Sequence, residues 1–238
     1  MINYLANPKR FLSFIKPVEF SIGILAFVLI LVGLYFSLLK SPEDYQQGDT
    51  VRIMYLHVPF AWFASFLYLS ICLSSISFLI WKHPFADIIA RSIAPLGLIF
   101  AILTIFTGAL WGKPMWGTWW VWDARLTSML ILCIFYAAYI GISNAFPRKI
   151  DGARPAAILS IVGMINLPII KFSVDWWNTL HQPASILRFD GPSINEHMLL
   201  PLIIMLIGFL FVSVYIILIN IKTNLILKKY QSEIIKLG

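Results

Sequence analysis

Charged residues in this chain fall in clusters, and the stretches between them carry none. Phe20–Leu39, Val58–Trp81, Ser92–Gly112, Leu126–Pro147 and Met198–Ile221 are uncharged throughout. Each reaches the roughly 20 apolar residues that a helix needs to cross about 30 Å of hydrocarbon with every backbone amide paired internally. Between Arg154 and Lys171 the run Pro155–Ile170 is shorter, and Asn166 and Pro168 interrupt it near its end. It reads as a tilted full span or a re-entrant segment. The pattern predicts an all-α polytopic membrane protein, a single integral membrane domain over residues 1–238 with spans near 20–39, 58–81, 92–112, 126–147, 154–171 and 198–221. No internal repeat, low-complexity tract or soluble-domain linker interrupts it.

The distribution of basic residues orients these spans. With six crossings, one side holds the N-terminus, Lys82 to Arg91, Arg148 to Arg154 and the C-terminal tail, and collects 12 of the 18 Lys and Arg. The other side holds 6: Lys40, Arg52, Lys113, Arg125, Lys171 and Arg188. The positive-inside rule then puts both termini in the cytoplasm. A five-span chain would export a tail carrying four of those lysines. The first apolar run follows Lys9, Arg10 and Lys16 as a secretion signal would, but it is longer than a signal's 7–15 apolar residues and no small-x-small cleavage site follows. It reads as a retained helix.

Composition agrees with lipid burial: 60% of residues are hydrophobic and 12% charged, against roughly 25% charged in soluble domains. The formal charge of +7 resolves by side into a strongly basic inner face and a nearly neutral outer one. It speaks for anionic lipid, not nucleic acid. Cys72 and Cys133 sit inside spans, with no C-x-x-C or C-x-x-C-H motif, so they read as small buried residues, with no thiol pair for covalent cofactor attachment.

Tryptophan is the residue that hydropathy does not explain. Seven of the nine lie on the outer side: Trp111, Trp116, Trp119, Trp120, Trp122, Trp176 and Trp177. An interfacial aromatic belt would populate both faces. In the stretch 111–127, Gly112, Pro114 and Gly117 predict an irregular segment before a helix. On a helix Trp116, Trp119, Trp120 and Asp123 would share a face; on a strand Trp116, Trp120 and Trp122 would. Either arrangement is a flat indole platform suited to a large planar apolar ligand. Two histidines flank it, His57 in His57-Val58-Pro59 and His181 in His181-Gln182-Pro183. Imidazole is a common axial ligand of haem iron, and Arg125, Lys113, Arg52 and Arg188 are nearby cations for its carboxylates. His197 is a competing outer histidine, whereas His83 lies inside.

The run Trp116-Gly117-Thr118-Trp119-Trp120-Val121-Trp122-Asp123 resembles the W-G-x-x-W-x-W-D signature of membrane proteins that handle haem in cytochrome c biogenesis. With six spans, His57-Val58-Pro59, Ala61-Trp62 and Trp176–Pro183, the chain is most similar to the haem exporter protein C family. The resemblance implies non-covalent, transient binding of haem b on the periplasmic face, with His57 and His181 as axial ligands. It implies a platform of Trp116, Trp119, Trp120, Trp122 and Asp123, with Arg125 beside it. As partners it implies a periplasmic haem chaperone, an ABC-type transporter made of an ATPase and a membrane subunit, and a small single-span accessory protein. The expected location is a bacterial inner membrane, or a mitochondrial one for an organellar homologue. No nucleotide-binding or hydrolytic motif is visible, so the expected role is transfer, not catalysis. The alternative is a membrane b-type haem electron-transfer subunit, which usually holds its ligands within facing helices, whereas both histidines here fall at loop edges. A secondary transporter would show charges or symmetric breaks at the midplane, and the uncharged runs show neither.

Overall fold

The computed structural model describes residues 7–182, 185–186 and 191–237. The described residues are helical, turn or loop, with one isolated bridge between Asp44 and Gly48 that closes a tight outer turn. Among the described residues, six helical segments are long and apolar enough to cross a membrane, as the hydrophobic pattern predicts.

Helix α1 (Pro8–Tyr35) begins well before the apolar run. Asn7 caps it, its side-chain oxygen accepting from the amides of Lys9 and Arg10 at 3.0 and 3.4 Å, and Pro8 occupies the first turn, where no amide is needed. It runs on into a π-helical turn over Phe36–Lys40. A 3-10 turn (Asp49–Ile53) leads into α2 (Met54–Trp81), and α3 follows over Pro84–Trp116. Lys82 ends α2 in the left-handed region at φ 51°. The inner connection expected over Lys82–Arg91 therefore shrinks to two residues. The physical reason is the Asp87–Arg91 pair, which hides its charge within one turn of α3: the carboxylate meets Nε at 2.8 Å with both side chains about a tenth exposed. Arg91 also donates to the carbonyl of Ser143, tying α3 to the end of α4 (Ala124–Asn144).

The fifth hydrophobic segment is broken, not continuous. Helices α5 (Lys149–Gly163) and α6 (Asn166–Trp176) meet at Met164 and Ile165, and together reach spanning length. Pro168 falls in the first turn of α6, where amides have no intrahelical acceptor anyway. Asn166 is buried and donates to the Ser128 carbonyl of α4 at 2.8 Å. Helix α7 (Glu196–Leu237) closes the fold.

Helices α2 and α3 form the central pair, α4 and α5 pack on them, and α1 leans on α7. The residues assigned to the inner side gather at one end: Phe11 and Ile15 of α1 pack with Phe85, Ile88, Ile221 and Leu225, and Glu19 pairs with Lys222 at 2.8 Å. His57, Trp116 and His181 gather at the other.

Candidate functional site

The outer end of α3 positions the tryptophan segment. Trp111 and Trp116 are on the helix, which Gly117 terminates at φ +74°, its amide donating to Lys113 at 3.0 Å. Only a residue without Cβ enters that conformation freely. Residues 117–123 are then irregular. The Thr118 hydroxyl donates to the Trp120 carbonyl at 3.1 Å, and Asp123 caps α4 by accepting from the Leu126 amide at 2.8 Å.

This geometry divides the expected platform. A cavity of about 690 Å³, within the size range of ligand pockets, is lined by His57, Trp111, Trp116, Trp120, Arg125 and His181, with apolar walls from α2, α3 and α7. Trp119 and Trp122 are not on its wall and are 55% and 76% exposed. Trp122 meets Trp120 edge-on at 5.4 Å between centroids, so one indole faces the cavity and the next faces out. Neither a helical nor a strand face describes the segment, because Gly117 and Asp123 bound a loop. Asp123 serves the backbone: its Oδ1 makes the cap, and its buried Oδ2 has no hydrogen-bond partner among the described residues.

His57 is one turn inside α2 and buried, not at a loop edge. The 3-10 turn before it extends the helix outward past the apolar run. Its Nδ1 lies 3.0 Å from Thr107 Oγ1, and the Thr107 hydroxyl donates to the Leu103 carbonyl at 2.7 Å. With the Thr107 proton on that carbonyl and Nδ1–H donating to Thr107, every partner is satisfied and the Nε2 lone pair of His57 is left free. Gly108 makes room for the ring, since a Cβ there would come within 3.0 Å of its Cε1. Trp111 braces it edge-on at 5.7 Å, and is itself anchored by donating to Gln47 Oε1 at 2.8 Å.

His181 approaches from the outer loop, its ring 6.4 Å from that of His57 and 6.2 Å from that of Trp116. Burial, then the Arg125 guanidinium, pushes its pKa down to about 4, so the imidazole is neutral at pH 7. Its Nδ1 lies 3.2 Å from Arg125 Nη1. Arg125 also donates to Ser173 Oγ at 3.3 Å and to the Ile170 and Lys171 carbonyls. Among the other suggested cations, Lys113 donates to the Gly117 carbonyl and overhangs Trp119, and Arg52 pairs with Asp49 at 3.0 Å. Arg188 lies outside the described residues, as does Pro183. Lys171, not anticipated from the sequence, lines the cavity. His197 is exposed at the start of α7 and His83 caps α3 on the inner side; neither lines the cavity. Both cysteines are buried and free.

The donor set suits a metalloporphyrin. Metal–imidazole bonds of about 2.0 Å, with roughly 1 Å more to each ring centre, separate two bridged rings by ~6 Å, and the observed spacing is 6.4 Å. The Nδ1 of His57 faces Thr107, and that of His181 faces Arg125 and the Gln182 carbonyl.

The family described as heme exporter protein C matches residues 1–236. The chain is 46% identical over 228 residues to heme exporter protein C of Bradyrhizobium diazoefficiens, covering 96% of this chain and 86% of that protein. It is 42% identical to heme exporter protein C of Escherichia coli K12 over 87% of this chain and 82% of that one. A putative cytochrome c biosynthesis ccmC-like mitochondrial protein of Marchantia polymorpha is 45% identical over 78% of both chains. Six apolar helices and these relatives describe a multi-pass inner-membrane protein. The chain belongs to the heme exporter protein C family.

Proposed function

We propose that this chain handles haem for cytochrome c maturation by holding it transiently and non-covalently, as haem b, at the periplasmic face, and presenting it to a periplasmic haem chaperone. His57 and His181 are the axial ligands. Trp116 and Trp120 cover the macrocycle, and Arg125, with Lys171, meets the propionates. Trp119 and Trp122, exposed beside the cavity, offer the chaperone an apolar edge, and buried Asp123 holds their loop against α4. An ABC-type transporter and a small single-span accessory protein complete the assembly and supply any ATP dependence. The role is transfer, not catalysis.

The observation that carries this reading is the imidazole pair, 6.4 Å apart at an apolar cavity beside indoles and a guanidinium. Two neutral imidazoles complete six-coordination of iron, while the indoles exclude water. The absorption spectrum of purified protein with haem tests it. The full chain gives a low-spin bis-histidine spectrum, and His57→Ala or His181→Ala removes it. An unchanged spectrum in both variants overturns the ligand assignment. Trp116→Ala with Trp120→Ala speeds haem loss, whereas Trp119→Ala with Trp122→Ala slows hand-over at unchanged retention.

A further inference from the structure

The two histidines differ in how their second nitrogen is held. At His57 the Thr107 hydroxyl stands 3.0 Å from Nδ1 and 2.7 Å from the Leu103 carbonyl, so the arrangement that satisfies every partner has Nδ1–H donating to Thr107 and Thr107 donating to Leu103. That ring is fixed in the form that offers Nε2. At His181 the same atom, Nδ1, has two neighbours of opposite character, each at 3.2 Å: Nη1 of Arg125 and the backbone oxygen of Gln182. A guanidinium only donates and a carbonyl only accepts. A ring nitrogen is either a lone pair or an N–H, so it satisfies one neighbour at a time.

Each choice fixes the rest of the ring. When Arg125 donates to Nδ1, the single proton of the neutral imidazole is on Nε2, which then has no lone pair for a metal. When Nδ1–H donates to Gln182, Nε2 is free. The exchange moves one proton off Nε2 and one onto Nδ1 through water, with no change in charge.

Arg125 is held in a way that permits release. Its other bonds go to the Ser173 hydroxyl at 3.3 Å and to the Ile170 and Lys171 carbonyls at 3.3 and 3.4 Å. All are long, and all accept from it through neutral oxygens. A carboxylate forms shorter, charge-assisted bonds to a guanidinium, often in pairs.

We propose that Arg125 is a latch on His181: it holds the ring in the tautomer that cannot ligate through Nε2, until a carboxylate of the incoming porphyrin draws the guanidinium away and Nδ1 turns to the Gln182 carbonyl. The site thus reads the carboxylates before it closes on the metal. His57 takes the iron first, His181 follows, and an uncarboxylated metalloporphyrin is left with one ligand. Arg125 acts through His181 as a positioning residue. The inference rests on the reading of His57 and His181 as axial ligands.

The unmodified full-length protein in detergent supplies the first test, titrated with ferric haem and with its dimethyl ester, whose carboxylates are capped. Haem gives the low-spin six-coordinate spectrum. The ester binds roughly tenfold more weakly or worse and stays five-coordinate. In Arg125→Met, which keeps length but has no donor, the ester becomes six-coordinate and binds more tightly than in the unmodified chain. A residue that merely supported the fold would weaken both ligands. Haem-free protein labelled with 15N-histidine gives a readout without the cargo: His181 carries its proton on Nε2 in the unmodified chain and on Nδ1 in Arg125→Met. Equal binding of haem and ester by the unmodified protein, or an Nδ1–H tautomer in its haem-free form, overturns the latch even if the variant does not fold. His181→Ala separates the two claims. If it leaves the haem spectrum unchanged, the ligand assignment fails and the latch with it; if it abolishes that spectrum while haem and ester behave alike, the latch alone fails.

Discussion

At the scale of residues, the site is built from partners that look ordinary in a sequence. Thr107 sits in an apolar run as helix filler, yet its hydroxyl is the partner of His57 Nδ1 at 3.0 Å. Thr107→Val keeps the shape and removes the acceptor. The Thr104 carbonyl, which also neighbours the ring, takes part of the load, so haem affinity falls by roughly tenfold, the lower end of the 10–100-fold range for such changes. Thr107→Ser retains it. A haem titration followed in the Soret band measures both, and equal affinity in Thr107→Val and the unmodified chain removes Thr107 from the site. The histidines and tryptophans were legible because their chemistry is specific and their spacing matches a known signature. Thr107, Gly108, Gln182 and Lys171 were not, since each acts through a single atom or the lack of one, which only three-dimensional contact reveals. The division between Trp116 and Trp120 on the cavity and Trp119 and Trp122 outside it was equally hidden. A loop bounded by Gly117 and Asp123 has no periodicity from which to read a face.

At the scale of elements, hydropathy located the crossings, and their ends lay elsewhere for stated reasons. Helix α3 begins eight residues before its uncharged run because the Asp87–Arg91 pair neutralises itself along one turn. Helix α2 begins earlier because a 3-10 turn feeds it, which brings His57 inside. The least regular element is the most consequential for the site. The break between α5 and α6 at Met164 and Ile165 separates α5, which packs on α2 and α4, from α6, which packs on α4. Helix α6 then carries Ile170, Lys171 and Ser173 to Arg125. Asn166 fixes this junction through its 2.8 Å bond to Ser128. Interhelical side-chain bonds of this kind average about 0.6 kcal/mol in membranes, with a maximum near 1.7. At that average, Asn166→Ala lowers the melting temperature in detergent by roughly 1–2 °C. Because α6 no longer seats Arg125 firmly, haem affinity falls as well. Thermal unfolding and haem titration on the same preparation check both, and a lower melting temperature with unaltered affinity uncouples the helix break from the site.

At the scale of the whole molecule, the two ends differ in charge and in chemistry. The end that gathers Glu19, Lys222, Phe85 and Leu225 belongs to the side with 12 Lys and Arg and a net charge of +8. The end that gathers His57, Trp116 and His181 belongs to the side with 6 basic residues and a net charge of −1. Basic loops are retained in the cytoplasm and held against anionic headgroups by about 1 kcal/mol per residue, so six more basic residues make the orientation strongly one-sided. On this charge argument we propose that the cavity opens to the periplasm and both termini stay inside. Single cysteines read this directly, because Cys72 and Cys133 are buried and give little background. Tyr45→Cys, at a position 91% exposed in the first outer loop, reacts with a membrane-impermeant maleimide in intact bacterial cells. Asn144→Cys, exposed at the opposite end of α4, reacts only after the inner membrane is opened. The reverse pattern would turn the cavity to the cytoplasm, and delivery to a periplasmic chaperone would fall with it. Labelling of both positions in intact cells would instead contradict the three crossings, α2, α3 and α4, that separate Tyr45 from Asn144.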